Sequence, residues 1–422
     1  MIKKGWLLFL ALLMSAGFVG TSYAADVTLS GQVRLRPEYR DNADFNDNAD
    51  DTKSWVGQRT RLTANAKVSD DVSAKITLQD TRNWGTEGST ANTGGEAQSV
   101  DLKEGYLQLG NLFDTGLTLR AGRQKISKGD QRILGGLEWS NSARSFDAFA
   151  LVHGSDAATV TAAWVKVTDR NSATGRTADD DTDLWAAYAE LKMIPNNQLD
   201  LYAILLRDAF RGDGNKVKSL YTVGLRLAGK VENAGVDYTL EIPVQFGDTG
   251  TQLGGADGSY GGYAVFAKAG YTIPGENKIR IGVEYNNTSG DDNATDSDSD
   301  AYVNLGLGTD HAHYGYMDIN NPSTADGNSG KTLYNLNVKA NATPELSLYA
   351  AYWIATLNEV ASGAKDDNGA ELNLQAAYKL AAGTKLVAGY GHYFAGDVQD
   401  AASASGSADD QDWAFAMFIT NF

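Results

Sequence analysis

Alternation of apolar and polar residues with a period of two runs through this chain from about residue 26 to its last residue. In the first segment Val27, Leu29, Val33 and Leu35 take one parity, while polar residues such as Arg34 take the other. Successive side chains of a β-strand point to opposite faces, so each such segment predicts a strand with one apolar and one polar face. No stretch after residue 24 shows helical periodicity of useful length. The pattern predicts an all-β fold.

The strand segments are about ten residues long and are joined by connections of two kinds, which is the pattern of a transmembrane antiparallel β-barrel. Short connections such as 69–71 and 381–384 predict periplasmic turns, and long polar ones such as 287–312 predict extracellular loops. Roughly 17 to 19 segments are present, with an uncertain one at 313–319, and single-chain bacterial barrels use even numbers. We therefore predict about 18 strands.

The two ends of the chain indicate where the barrel resides. In residues 1–24, two lysines precede an apolar run, and Ser22 and Ala24 occupy the −3 and −1 positions of a cleavage site, as in a secretory signal peptide. Residues 25–422 then form one barrel domain without a linker or longer repeat. The final Phe422 closes an apolar strand, which is typical of substrates of the barrel assembly machinery. These features predict an exported protein in the outer membrane of a Gram-negative cell, surrounded by lipid and lipopolysaccharide.

Aromatic residues near predicted strand ends suggest where the membrane interfaces lie. Tyr39, Trp55, Tyr271 and Tyr285 occupy such positions. Tyrosine and tryptophan are enriched at both membrane–water interfaces. We therefore expect these four residues in the aromatic girdles of the barrel.

Composition excludes several classes of function. The formal net charge is −17, and such an acidic chain repels nucleic acid. The chain has no cysteine, which removes disulfides, thiolate metal sites and cysteine nucleophiles together. It has four histidines and neither a GxSxG nor an HExxH motif. We predict that the protein is not an enzyme, with no catalytic residue and no required cofactor.

Arginines recur at the polar positions of the alternating pattern, although the chain as a whole is acidic. Rings of arginine and lysine line pores that pass anions, and guanidinium groups pair bidentately with carboxylates. The alternative is that the arginines pair with acids of the same parity, giving an ordinary cross-linked wall. The acids concerned are Glu38, Glu104, Glu190, Glu241, Glu284 and Glu371. The sequence does not fix the parity of Arg123 and Arg132, and Arg123 takes the lipid parity if no bulge intervenes. The arginines predicted to line the lumen and the substrate path are Arg34, Arg36, Arg40, Arg59, Arg61, Arg120, Arg123, Arg132, Arg226 and Arg280.

Two further features of the sequence offer metal-binding side chains. The acidic loop with Asp291, Asp292, Asp296 and Asp298 offers oxygen ligands for calcium, but it lacks the glycine and the terminal glutamate of the helical calcium loop. A solvated acidic loop is the favoured interpretation, and a loop calcium ion is the alternative. His311 and His313 share one face if their segment is a strand, yet two ligands make a poor metal site.

Several stretches of the sequence resemble a known family. They are QDTRNWG at 79–85, GRQKISKGDQRILGGLEW at 122–139, SGDDNATDSDSDAYVNL from Ser289, and the histidine-containing stretch at 311–318. With the final strands they resemble the alginate-export family of outer-membrane porins over most of the chain after residue 24. The resemblance implies an 18-stranded barrel with a positively lined lumen and an anionic solute, either a uronate polysaccharide or a small organic anion.

Two functions of different classes remain open at this point. The first is a passive porin or channel, selective for anions, through which solute moves down its gradient. The second is a structural sheath around a secreted partner protein, such as the porin of a porin–cytochrome electron conduit. The chain has no CxxCH motif, so any covalent haem would belong to that partner.

Overall fold

The computed structural model describes residues 25–46, 48, 50–85, 100–170, 180–192, 194–210, 217–253, 256–293, 295–322, 328–403 and 406–422. The predicted signal peptide, residues 1–24, lies outside the described residues, as do parts of the long connections at 86–99, 171–179 and 211–216.

The described chain is almost entirely β-structure. One six-residue helix, α1, spans Asp397–Ala402, and none of the helices in the described residues is long and apolar enough to cross a membrane. The strands are β1 (Asp26–Asp41), β2 (Lys53–Lys67), β3 (Val72–Asn83), β4 (Asp101–Leu112), β5 (Leu117–Gln124), β6 (Phe146–Gly154), β7 (Ala158–Thr168), β8 (Thr182–Leu191), β9 (Asn197–Asp208), β10 (Lys218–Val231), β11 (Val236–Leu253), β12 (Ala256–Tyr260), β13 (Ala264–Thr272), β14 (Arg280–Thr288), β15 (Lys331–Asn341), β16 (Leu346–Leu357), β17 (Asp367–Ala381), β18 (Thr384–Phe394) and β19 (Gln411–Asn421).

The strands close into a single antiparallel barrel. Strand β1 pairs with β2 on one side and with β19 on the other, where Gln32 faces Asn421. Strands β12 and β13 both pair with β11, one after the other along its length, so together they occupy one strand position in the barrel wall. Counted in this way the wall has 18 strands, which confirms the predicted antiparallel β-barrel of about 18 strands.

The two parities take the two faces of the barrel. Leu29, Ile76 and Leu336 are exposed on the outer face, as is expected where lipid replaces water. Tyr39 and Tyr271 are also exposed there, in keeping with an aromatic girdle. Trp55 was placed in the girdle wrongly: its indole points inward and donates a hydrogen bond to Glu38. An indole N–H needs a partner when buried, and this carboxylate provides one.

Two long connections on the loop side fold into the lumen. We call residues 125–145, between β5 and β6, the first inward segment, and residues 302–320, between β14 and β15, the second inward segment. The two segments hydrogen-bond to each other through Gly135 N–H to Leu307 O and Thr309 N–H to Gln131 O, at 2.8 Å in each case. The strand predicted at 313–319 was therefore wrong, because its alternation belongs to the second inward segment.

The inward segments pack against particular sectors of the wall. Ile133 and Leu134 of the first segment join a buried apolar cluster formed by β6 to β9. Tyr314 of the second segment joins a cluster with residues of β13, β15 and β16, and Met317 joins one with residues of β18 and β19. The hydrophobic core of this barrel therefore lies within its lumen, between the inward segments and these sectors.

Candidate functional site

The lumen is the candidate functional site, and its first predicted arginine is buried. Arg34 on β1 is 2% exposed. Its guanidinium donates to the backbone carbonyls of Glu138, Trp139 and Ser140 at 2.9, 3.0 and 3.1 Å. A fourth bond, at 2.7 Å, goes from the same guanidinium to the side-chain oxygen of Asn141. Arg34 thus faces the lumen as predicted, but it holds the first inward segment instead of facing an open path.

Two further arginines of β1 and β2 bind the same segment. Arg36 donates to Trp139 O at 2.7 Å, forms an ion pair with Glu38 at 2.8 Å, and lies 4.1 Å from the centre of the Trp139 ring. Arg59 donates to the carbonyls of Glu138 and Ser140 at 3.0 and 3.1 Å. Both predicted arrangements, arginines facing the lumen and arginines paired with wall acids, are present here. Arg36 and Arg59 face inward, and Arg36 pairs with Glu38.

Arg132 and Arg226 tie the first inward segment to the opposite wall. Arg132, within the segment, forms an ion pair with Glu284 of β14 at 2.8 Å and lies 4.1 Å from the Phe266 ring centre. Arg226 of β10 forms ion pairs with Asp130 of the segment at 3.8 Å and with Asp200 of β9 at 3.1 Å. Buried charges of this kind require partners, so these arginines are committed to the packing of the lumen.

The remaining predicted arginines take different places. Arg280 forms an ion pair with Asp237 at 2.6 Å on the lumen face. Arg40 donates to Met317 O of the second inward segment at 2.7 Å. Arg120 faces the lumen and donates to Gln108 at 2.9 Å.

Arg123 does not line the lumen. It pairs in register with Asp147 on the outer face of β5 and β6 and donates to that carboxylate at 2.8 Å through both Nε and Nη2. The next residue along β6 on the same face is the exposed Phe149. The prediction that Arg123 lines the substrate path was wrong, because strict alternation without a bulge puts it outside.

An aromatic stack that the sequence did not predict joins the two inward segments. The Trp139 ring lies 4.1 Å from the His311 ring with an interplanar angle of 6°, and His311 in turn lies 5.2 Å from the Tyr316 ring. Arg36 caps the stack at the β1 side. Stacked rings bury large area in a fixed geometry, so this contact fixes the two segments relative to each other.

The two histidines considered as a metal pair have separate environments. The ammonium of Lys268 donates to His313 Nδ1 at 3.0 Å, and His313 Nε2 donates to the backbone carbonyl of Asp130 at 3.0 Å. Burial, followed by the charges of Arg132 and Lys268, lowers the pKa of His313 well below its usual value. His313 is therefore neutral and serves as a hydrogen-bonding link, while His311 belongs to the aromatic stack.

The calcium candidates lie in the connection that precedes the second inward segment. Asp298 accepts hydrogen bonds from the Ser259 backbone and hydroxyl, at 2.7 and 2.9 Å, and Asp296 accepts one from Asn293 at 2.8 Å. Within the described part of the chain no group of three or more His, Cys, Asp or Glu residues is arranged to hold a metal ion.

One sector of the wall is left uncovered by the inward segments. The lumen-facing residues Thr63, Glu104, Tyr106 and Gln108 on β2 and β4 are partly exposed, as are Lys75 on β3 and Arg120 on β5, whereas Thr77 and Gln79 of β3 are buried. The corresponding residues of β13 to β19 are mostly buried. The uncovered sector carries charged side chains from the wall and from the first inward segment. Those of the wall are Arg59, Arg61, Lys75, Lys103, Glu104 and Arg120, and those of the segment are Lys125 and Glu138.

Glu138 is the acidic centre of this sector. Arg61 Nη1 lies 2.8 Å from its Oε2 atom, and Lys125 Nζ lies 3.2 Å from its Oε1 atom. Burial would raise the pKa of Glu138, but the charges of Arg61, Lys125 and Arg59 outweigh it and bring the pKa to about 2. Sequence reasoning missed both Glu138 and Lys103. Glu138 lies in an irregular segment without parity, and Lys103 lies at the register shift between Thr77 and Leu78 on the partner strand.

Fold and lumen together define an outer-membrane β-barrel of the porin class. The chain belongs to the alginate export family, whose model matches residues 26–411. No curated protein sequence matches the chain significantly.

Solved porin structures share this fold at low sequence identity. OccK8 (OprE) of Pseudomonas aeruginosa is 14% identical with a TM-score of 0.62, covering 94% of this chain and 98% of that one. OccAB1 of Acinetobacter baumannii is 12% identical with a TM-score of 0.62, covering 96% and 98%. OpdK of Pseudomonas aeruginosa, solved with vanillate, is 13% identical with a TM-score of 0.56, covering 93% and 98%.

Proposed function

We propose that this barrel is a passive outer-membrane channel that prefers anionic solutes of the carboxylate class, such as uronates and small organic acids. The observation that carries the proposal is the charge of the sector left open by the inward segments. Its cations outnumber its two acids, Glu104 and Glu138, although the whole chain is strongly acidic. Basic side chains in a narrow, partly desolvated passage raise the local concentration of anions and speed their entry.

The path runs along the inner face of β2 to β5, off the barrel axis. Lys75 forms an ion pair with Glu104 at 2.8 Å, so Glu138 is the remaining acid of the sector against the five cations Arg59, Arg61, Lys103, Arg120 and Lys125. In this scheme the solute moves down its own gradient, and the barrel acts as a passive path without catalysis. Export through the leader at residues 1–24 and assembly by the barrel machinery complete the proposal.

Two observations support this choice over the sheath. The inward segments occupy the lumen against β6 to β9 and β13 to β19, where a partner protein would have to lie. One barrel of similar fold was solved with vanillate, which is a carboxylate. A loop calcium ion at Asp291, Asp292, Asp296 and Asp298 is not needed for this function and stays a prediction.

The test compares three sugars of one ring size that differ in charge. Proteoliposomes containing the purified barrel would be loaded with labelled galacturonate, galactose or galactosamine, and efflux of each would be followed. We expect galacturonate to leave fastest and galactosamine slowest, and Arg61→Ala to reduce the difference. Equal rates, a reversed order, or a barrel that releases none of the three would overturn the proposal.

A further inference from the structure

The cationic sector already contains a carboxylate, that of Glu138. Arg61 Nη1 and Arg59 Nη1 lie 2.8 and 3.4 Å from its Oε2 atom, and Lys125 Nζ lies 3.2 Å from Oε1. The Glu138 side chain is 37% exposed, whereas that of Arg59 is 4% exposed. A solute in the lumen can therefore reach this carboxylate, while the arginines that hold it are fixed in the wall.

Hydrogen-bond donors around Glu138 remain unused. Arg61 Nη2 is buried without a hydrogen-bond partner in the structure. Lys103 is 7% exposed, and its ammonium has neither a hydrogen bond nor an ion pair among the described residues. It lies within electrostatic reach of Arg61, Glu138 and Arg59. Leaving charged donors unsatisfied in a confined site costs free energy, which an anion that contacts them would recover.

Lys103 has this position because of a bulge in β4. The register with β3 shifts between Thr77 and Leu78, so Glu104 faces Thr77 and Leu102 faces Leu78, with Lys103 left between them. Glu104 forms its ion pair with Lys75, at 2.8 Å, and lies within electrostatic reach of Lys103 without pairing with it. Bulges re-aim side chains at functional sites, and this one adds a cation to the lumen face.

We infer that Glu138 is an internal competitor that occupies the subsite for the carboxylate of a passing solute. An entering carboxylate first meets Lys103, and it then replaces Glu138 on Arg61 and Lys125. When the solute moves on, Glu138 returns to the cations. The inference rests on the proposed anion channel and specifies where in that channel the carboxylate binds.

The exchange explains how a strongly cationic site can release an anion. Conduction requires binding that is favourable enough for entry and weak enough for exit. With Glu138 present, each arriving carboxylate replaces another carboxylate, so little net attraction is gained. Without it, the same cations would hold the solute. The low pKa of Glu138 keeps this competitor ionised at any physiological pH.

The experiment measures block of chloride current by galacturonate through the purified full barrel in planar bilayers. The variants are Glu138→Gln, which keeps the side-chain shape, Lys103→Met, and Glu190→Gln as a matched control. Glu190 pairs with Lys128 at 2.8 Å, away from Glu138. Heat-modified electrophoretic mobility of every variant confirms that each barrel is folded, and galactose serves as the uncharged probe.

We expect Glu138→Gln to strengthen galacturonate block about tenfold and to lengthen each blocking event, and Lys103→Met to weaken block about tenfold, while the control stays near the wild type. Unchanged or weaker block in Glu138→Gln would overturn the competitor role. If the wild type prefers anions and both variants leave block unchanged, the inference fails and the channel proposal stands. If the wild type shows no preference for anions, both fail.

Discussion

Arg34 and Arg61 lie on adjacent strands with the same lumen-facing parity, yet their surroundings differ. Arg34 donates hydrogen bonds to the backbone of the first inward segment, at Glu138, Trp139 and Ser140. Arg61 instead binds two side chains, Gln79 and Glu138, and keeps Nη2 free. The first arrangement positions a segment, and the second presents charge to a solute.

Substitution of these two arginines should therefore give different results. Arg34→Ala removes one of the two guanidinium donors from each of the carbonyls of Glu138, Trp139 and Ser140, together with the hydrogen bond to Asn141 Oδ1. Each lost bond contributes about 0.5–1.5 kcal/mol, so residues 138–141 should loosen. We expect a noisier and larger single-channel conductance with anion preference retained. Arg61→Ala should keep a steady conductance and lower the anion preference. Single-channel recordings under a salt gradient measure both quantities, and a steady Arg34→Ala channel with reduced anion preference would contradict this assignment.

The first inward segment is an element that the wall does not need for its own pairing. Strands β5 and β6 remain in register up to Gln124 and Phe146, on either side of the segment. The segment nevertheless narrows the lumen and brings Lys125 and Glu138 toward Arg61. Its removal should change conduction without preventing barrel closure.

Replacing residues 127–143 with a short Gly-Ser linker tests this. We expect a folded barrel with a larger conductance and a weaker anion preference, because charges farther apart than about 10 Å are screened at ordinary ionic strength. Replacing the exposed residues 361–364 with Gly and Ser is the matched control and should leave conductance unchanged. A deletion variant that fails to fold, or that conducts like the wild type, would show that the segment has another role.

For strands and loops, the sequence predicts the barrel wall better than the segments that lie inside it, and the reason is physical. Alternation predicted the wall because lipid and water impose opposite faces on every strand. It could not show what lies in front of a lumen-facing side chain, so Arg34 and Arg59 were expected beside open water. It also failed where local backbone breaks the period, as at the bulge that turns Lys103 toward the lumen and in residues 313–319. Arg123 was misplaced for a different reason: its position faces the lumen only if a bulge intervenes, and β5 pairs with β6 there without one.

For the whole molecule, closure depends on the seam between β1 and β19. At its end Gly31 N–H donates to Phe422 O at 2.7 Å, and Phe422 N–H donates to Gly31 O at 3.0 Å. The Phe422 ring lies over Gly31, whose missing side chain leaves the space for it. The last residue thus contributes both backbone pairing and packing at the seam.

Deleting Phe422 should slow barrel assembly more than it changes the finished channel. Two hydrogen bonds are lost, each contributing about 0.5–1.5 kcal/mol, at the point where the barrel closes. The rate at which the heat-resistant form appears in lipid vesicles measures the effect, and Phe422→Tyr, which keeps both backbone bonds, is the control. Assembly of the deletion variant at the wild-type rate would contradict this view of the seam.

The central claim is that solute passes along β2 to β5 and that this path favours anions. Because the chain contains no cysteine, single cysteines can be placed without a background reaction. Gln108→Cys on the lumen face of β4 should react quickly with a negatively charged thiol reagent added from the loop side, slowly with its positively charged counterpart, and lose current as it reacts. Asn373→Cys, at a position with 0% exposure behind the second inward segment, should stay unmodified. Faster reaction with the cationic reagent, or modification of Asn373→Cys before Gln108→Cys, would contradict the account.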